Sequence, residues 1–186
     1  MNIKTVAFLG GHALSPQSNE YTSAKELARL CAKNGLVILN GGGSGIMRAS
    51  TEGAHLGGGL SIAITTYLGG IGRSNFEGVD TENKFDKEII EEDYFKRTER
   101  LLREGDVHVL FKGGEGTLSE FGMTWAMSKI HEGFSKPIIL YGDFWKVIMK
   151  TVTENLLIKQ GNELLYHIIS DPNKAMDIIN SYRTER

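Results

Sequence analysis

The stretch Phe111-Lys112-Gly113-Gly114-Glu115-Gly116-Thr117-Leu118-Ser119-Glu120 decides how this 186-residue chain is read. Just before it, Asp106 to Phe111 (DVHVLF) runs into a short apolar segment of strand type. After Gly113, Gly114 and Gly116 the pattern turns helical from about Thr117. A strand, a glycine-rich turn and a helix start form an anion site. The turn needs backbone conformations that glycine adopts cheaply, and the first helical N–H groups point at whatever lies above them. Thr117 can cap the helix and reach a phosphate oxygen. Glu120 lies one helical turn further in and faces the same mouth. A capping box of Thr117 and Glu120, serving structure alone, explains the same residues equally well.

Working outward, a second glycine loop shifts the balance towards a ligand. Ile3 to Leu9 reads as a first strand ending in Gly10, Gly11 and His12. A helix capped by Ser18 or Asn19 follows, with Tyr21, Ala24, Leu27, Ala28 and Cys31 at spacings of three and four, and Gly35 closes it. Leu36 to Leu39 is an unbroken apolar strand, as expected where both faces are covered. It runs straight into Asn40-Gly41-Gly42-Gly43-Ser44-Gly45, and Ile46 to Leu56 reads as helix. Close helix–strand packing explains one glycine there. Three in a row cost more backbone entropy than a turn needs, so Gly41, Gly42 and Gly43 are expected to face a ligand.

Leu60 to Ile64 forms a third strand, after which periodicity is lost from Thr65 to about Ile90, a long and mobile connection of the kind that carries function or disorder. A helix from Asp93 to Glu104 delivers the chain to the fourth strand and the central loop. Beyond Glu120 the helix continues through Met123, Trp125, Met127 and Ile130. Pro137 to Tyr141 is a fifth strand, Phe144 to Ile158 a helix, Tyr166 to Ser170 an edge strand, and Asp171-Pro172 starts the last helix. This alternation predicts one α/β domain over residues 1–186, a Rossmann-like doubly wound parallel sheet with helices on both faces. The glycine turns after strands one, two and four then share the carboxyl edge, where such sheets hold ligands.

Composition narrows the classes. Lys plus Arg number 21 and Asp plus Glu 23, a net charge of −2 that offers no broad field for nucleic acid, so no nucleic-acid partner is expected. The single cysteine, Cys31, on an Ala- and Leu-rich helix, reads as a buried structural thiol. No HExxH or CxxC is present, so no metal and no cofactor is expected. With no signal segment and no apolar run of spanning length, the expectation is a soluble, cytoplasmic protein without a membrane partner. Neither glycine loop is G-x-G-x-x-G or G-x-x-x-x-G-K-[ST], which argues against a dinucleotide or nucleoside triphosphate and for a smaller phosphate ester.

Here the motifs resemble a known family. Gly41 to Ala54 (GGGSGIMRASTEGA) resembles the G-G-G-x-G-[IL]-M stretch of the Lonely Guy family, and Lys112 to Glu120 (KGGEGTLSE) is similar to its P-G-G-x-G-T-x-x-E signature. Members are phosphoribohydrolases acting on cytokinin riboside monophosphates or purine nucleotides such as AMP. The resemblance implies hydrolysis of the N-glycosidic bond of a nucleoside 5′-monophosphate. Glu120 would then serve the cationic ribose, Arg97 would match the family arginine, and Gly113, Gly114, Gly116 and Thr117 would grip the phosphate. Gly41, Gly42, Gly43, Gly10 and Gly11, packed close beside it, would also bind the phosphate or substrate. Lys112 stands where the family has proline and Thr98 where it has lysine. Together with His12 and Thr124 they are possible further ligand-facing positions. Other relatives of this fold resemble carriers of a phosphorylated pterin, molybdenum-cofactor-like, which keeps a non-catalytic binding or carrier protein as the alternative.

Read from residues alone, Arg97 is a surface arginine among Lys96, Glu99, Arg100 and Arg103. His108 reads as packing, and Trp125 and Trp145 as core or interface. Leu118, Phe121, Met123, Trp125, Met127 and Ile130 occupy more of their helix than one stripe, which predicts a homodimer contact there or cover from the helix at Phe144.

Overall fold

The computed structural model describes residues 2–66, 79–130, 136–159 and 161–184. Seven strands form one sheet: β1 (Thr5–Leu9), β2 (Val37–Asn40), β3 (Ser61–Thr66), β4 (Lys87–Glu91), β5 (Val107–Leu110), β6 (Ile138–Tyr141) and β7 (His167–Ile169). Between and after them lie α1 (Asn19–Lys33), α2 (Ile46–Leu56), α3 (Tyr94–Glu104), α4 (Glu115–Ile130), α5 (Phe144–Asn155) and α6 (Pro172–Thr184). All neighbouring strands pair in parallel, in the order β4-β3-β2-β1-β5-β6-β7. The α/β fold expected from the alternating pattern is therefore present.

Strand order reverses at β1, which has β2 on one side and β5 on the other. Connections leaving two neighbouring strands in opposite directions open a crevice above their carboxyl ends. The register sets Leu9 against Leu110, so the turns Gly10–His12 and Phe111–Gly114 emerge side by side at that crevice.

Period-two alternation gives each sheet face its own core. Val6, Phe8, Ile38, Val109, Phe111 and Ile139 point to the layer of α1, α2 and α6, where Tyr21, Leu27 and Ile179 are buried. Ala7, Leu9, Leu39, Ile64, Leu110 and Leu140 point the other way, against Leu101 of α3, Phe121 of α4, and Trp145 and Met149 of α5. Cys31 lies in the first of these layers, fully enclosed, and burial pushes its thiol up to about 12.

Several local expectations are corrected. The stretch read as patternless from Thr65 to Ile90 contains β4, whose sequence KEIIE is charged at both ends because it sits on the sheet edge with little burial. Residues 67–78 of that stretch lie outside the described residues. Of the two candidate caps for α1, Ser18 accepts from the Tyr21 N–H. α5 ends at Asn155 rather than Ile158, as Leu156 is extended. α4 begins at Glu115, two residues before the expected start, so Thr117 lies inside the helix and forms no capping box with Glu120.

The apolar circumference of α4 is covered in part within the chain. Phe121 stacks on Trp125 at 5.1 Å, meets the tilted ring of Trp145 at 5.3 Å and takes Tyr166 edge-on at 6.3 Å. Trp145 donates from Nε1 to the Leu110 carbonyl at 3.1 Å and Trp125 to the Asn162 carbonyl at 3.2 Å, so both indoles are packing residues. Leu118 and Met123 stay exposed on the outer face. The side chain of Ile130 lies outside the described residues.

Candidate functional site

Three glycine-bearing turns meet at the crevice and are joined through their backbones. The Gly11 N–H donates to the Lys112 carbonyl at 2.9 Å, tying the turn after β1 to the turn after β5. The Ile46 N–H donates to the Gly11 carbonyl at 3.1 Å, and Ser44 Oγ to the His12 carbonyl at 2.8 Å, which brings in the loop after β2. Gly45 has φ +60, and a Cβ there would collide with the Gly11 carbonyl. Gly10 packs against Ile46, with its missing Cβ 2.7 Å from Cγ1. Gly10 and Gly11 thus build the frame of the crevice.

The loop Gly41–Gly43 is a wall whose polar groups are largely engaged. The Gly42 N–H donates to Asn40 Oδ1 at 2.8 Å, and the Gly42 carbonyl accepts from the Asp80 N–H at 3.0 Å. Asn83 Nδ2 donates to the Gly43 carbonyl at 2.8 Å. Asn40 itself is enclosed, with Nδ2 near Ser50, Thr51 and Ser61 hydroxyls at 3.0 to 3.2 Å. Asn40 and Asn83, which hold this loop in place, were not singled out in the sequence. A polar residue closing the apolar run Val37–Leu39 was the only available signal for Asn40.

Gly41 is the loop residue that meets the charged part of the site. A Cβ there would fall within the Arg97 guanidinium. Arg97 comes from α3, whose first turn is fixed by the Asp93 carboxylate accepting from the Lys96 N–H at 2.8 Å. Arg97 Nε donates to the Ile64 carbonyl at 3.2 Å and Nη1 to Glu120 Oε1 at 3.1 Å. The two side chains are 13% and 7% exposed, so the pair is buried and its attraction is only weakly screened. The surface placement that charge patterning alone suggests for Arg97 is therefore corrected. Its guanidinium also lies 5.7 Å from the ring centroid of Tyr94.

The signature turn supplies the open part. Gly113 has no Cβ to strike the Thr117 hydroxyl, and Gly114 has free space where a Cβ would stand. Behind them the first N–H groups of α4 form a positive end that favours an anion. Thr117 is buried under this turn and Glu120 one turn deeper. Lys112 and His12 are exposed at the rim. The other two possible positions turn away: Thr98 is enclosed, its hydroxyl without a partner among the described residues, and Thr124 lies 2.7 Å from His108 Nδ1. Since His108 Nε2 faces the Leu102 carbonyl at 3.0 Å, Nε2 carries the proton and Nδ1 accepts from Thr124. Burial, with Lys136 adding to it, pushes His108 down to about 4 and keeps it neutral.

Among the described residues, no group of three or more His, Cys, Asp or Glu gathers as a metal site, and no helix is long and apolar enough to cross a membrane. The arrangement sets a glycine turn, open at Gly114, at the start of α4, and pairs a buried guanidinium with the carboxylate of Glu120 inside that helix.

Comparison with known proteins agrees with this architecture. The model of the SLOG cluster4 family matches residues 3–174. An uncharacterized protein of Archaeoglobus fulgidus is 30% identical over 123 residues, which span 66% of this chain and 75% of the relative. The molybdenum cofactor binding protein of Rippkaea orientalis has a TM-score of 0.73 at 24% identity, covering 99% of each chain. The molybdenum cofactor carrier protein of Chlamydomonas reinhardtii has a TM-score of 0.67 at 19% identity, over 97% of this chain and 98% of that one. DNA processing protein A of Helicobacter pylori, described for its single-stranded DNA binding mode, has a TM-score of 0.61 at 14% identity, over 96% of this chain and 80% of its own. At these identities the solved structures establish the fold alone. The last one corrects the exclusion of nucleic acid drawn from a net charge of −2, because a protein of this same fold is described as binding single-stranded DNA. Formal charge averages over the whole surface and says nothing of a local groove.

Proposed function

The chain belongs to the SLOG cluster4 family, and from that premise we propose that it is a binding protein of the carrier kind for a phosphorylated small molecule, nucleotide-like in size. The observation that carries this reading is the turn Gly113–Gly114, open at Gly114, set at the start of α4 and tied to the turn after β1 by the Gly11–Lys112 hydrogen bond. A phosphate monoester bound there would satisfy helix N–H groups without needing a metal or a Walker-type lysine. Molybdenum cofactor binding and carrier proteins among the structural neighbours support the carrier kind. The test is to incubate the protein with AMP as probe, isolate the complex by gel filtration and analyse what it releases. Intact AMP retained at one per chain supports the reading, and absence of retention contradicts it.

The Arg97–Glu120 pair, at 3.1 Å, favours a second reading. Hydrolysis of an N-glycosidic bond builds oxocarbenium-like charge on the ribose, which a carboxylate stabilises or serves by holding the attacking water. Glu120 would take that role and Arg97 would anchor the phosphate, in line with the resemblance to Lonely Guy phosphoribohydrolases. Water adds to the ribose carbon and its proton leaves with the base. In the same incubation this reading gives free adenine and ribose 5-phosphate, and Glu120→Gln abolishes their release while AMP still binds.

A further inference from the structure

Tyr94 opens α3 and approaches both Arg97 and the first turn of α4. Its ring lies 5.7 Å from the Arg97 Cζ, and its hydroxyl reaches the first turn of α4, where a Cβ on Gly116 would sit 3.2 Å from the oxygen. Gly116 is not among the glycines with positive φ, and the Tyr94 hydroxyl is the one neighbour a Cβ there would meet closely among the described residues. The Asp93 cap fixes Tyr94 as the first helical residue. No hydrogen bond engages its hydroxyl among the described residues.

We propose that Tyr94 is a ligand-contacting residue of this crevice: its hydroxyl donates a hydrogen bond to the phosphate held at the start of α4, while its ring supports the Arg97 guanidinium. The inference rests on reading the crevice as a phosphate-ester site. A phenolic hydroxyl donates well to an anionic oxygen, and such charge-assisted bonds are short and strong. An aromatic ring against a guanidinium restricts the cation to one plane. Tyr94 thereby gives the site a preference for a phosphorylated ligand over its unphosphorylated counterpart.

Two variants separate the hydroxyl from the ring. Tyr94→Phe keeps the ring under Arg97 and removes one donor, whereas Tyr94→Leu removes both. Calorimetric titration with AMP and with adenosine is compared across wild type, both variants and an Arg97→Gln control. Loss of one charge-assisted hydrogen bond predicts about tenfold weaker AMP binding by Tyr94→Phe. Adenosine binding and the unfolding midpoint stay unchanged, and Tyr94→Leu weakens AMP further. Unchanged AMP affinity in Tyr94→Phe, or equal weakening of AMP and adenosine, overturns the proposal. If Arg97→Gln loses the preference for AMP while Tyr94→Phe keeps it, the Tyr94 inference alone fails. If wild type does not prefer AMP to adenosine, the phosphate-site reading fails and takes this inference with it.

Discussion

Arg97 Nη1 lies 3.1 Å from Glu120 Oε1, so residues separated by 23 positions form one buried charge pair. Removing one member takes away the opposite charge that the other faces, in a place where water compensates poorly. Arg97→Gln and Glu120→Gln are each expected to cost about 3 kcal/mol in urea unfolding, and the double variant clearly less than their sum. Strictly additive losses in this double-mutant cycle would show that the pair is not coupled.

Gly41→Ala places a methyl group within the Arg97 guanidinium, and the guanidinium is the far end of a flexible side chain that can move aside. The variant is therefore expected to fold but to lose the Arg97–Glu120 contact. Adding Glu120→Gln to it should cost less than adding Glu120→Gln to wild type. An unchanged cost would mean that Arg97 holds its place despite the methyl.

Glycines at two turns should respond unequally to alanine. Gly45 combines φ +60 with a backbone oxygen where the Cβ would go, so Gly45→Ala is expected to destabilise by about 2 kcal/mol or more. Gly114 has open space there, and Gly114→Ala should stay within about 0.5 kcal/mol. Unfolding midpoints measured side by side decide the matter, and equal losses would contradict the assigned roles.

His108 links stability to pH. Burial lowers its folded-state value to about 4, below the unfolded value of 6.5. Between these two values the unfolded chain binds the proton and the folded chain does not, so this contribution is complete above about pH 6.5 and is lost as pH falls towards 4. The shift corresponds to roughly 3 kcal/mol. The nearby Lys136 and Asp106 also act on this ring, the first lowering and the second raising its value, so the comparison uses His108→Gln rather than wild type alone. Urea unfolding at pH 7 and pH 5 should show a smaller loss in His108→Gln. An identical loss would place the titrating group elsewhere.

The sheet was legible because its central strands contain short apolar runs, such as Leu36–Leu39 and Val109–Phe111, each followed one residue later by glycine. The edge strand β4 was not, since KEIIE is too polar and too little buried to stand out from a loop. The glycine turns were placed correctly at the carboxyl edge, yet their separate duties were hidden. Gly10 and Gly45 are needed for close packing, Gly42 for its φ of +75, and Gly114 leaves open space, distinctions that depend on neighbours far along the chain. The partnership of Glu120 with Arg97 was likewise invisible in spacing, because it requires α3 and α4 to lie side by side. Tyr94 gave no motif at all, and only its approach to Gly116 and Arg97 singles it out.

The measurement that bears most directly on the central claim is calorimetric titration of the wild-type protein with AMP and with adenosine under one buffer and salt concentration. A site built on a helix start and the Arg97 guanidinium predicts one AMP per chain, bound at least about tenfold more tightly than adenosine. Equal affinity for the two, or no binding of AMP, would contradict the account.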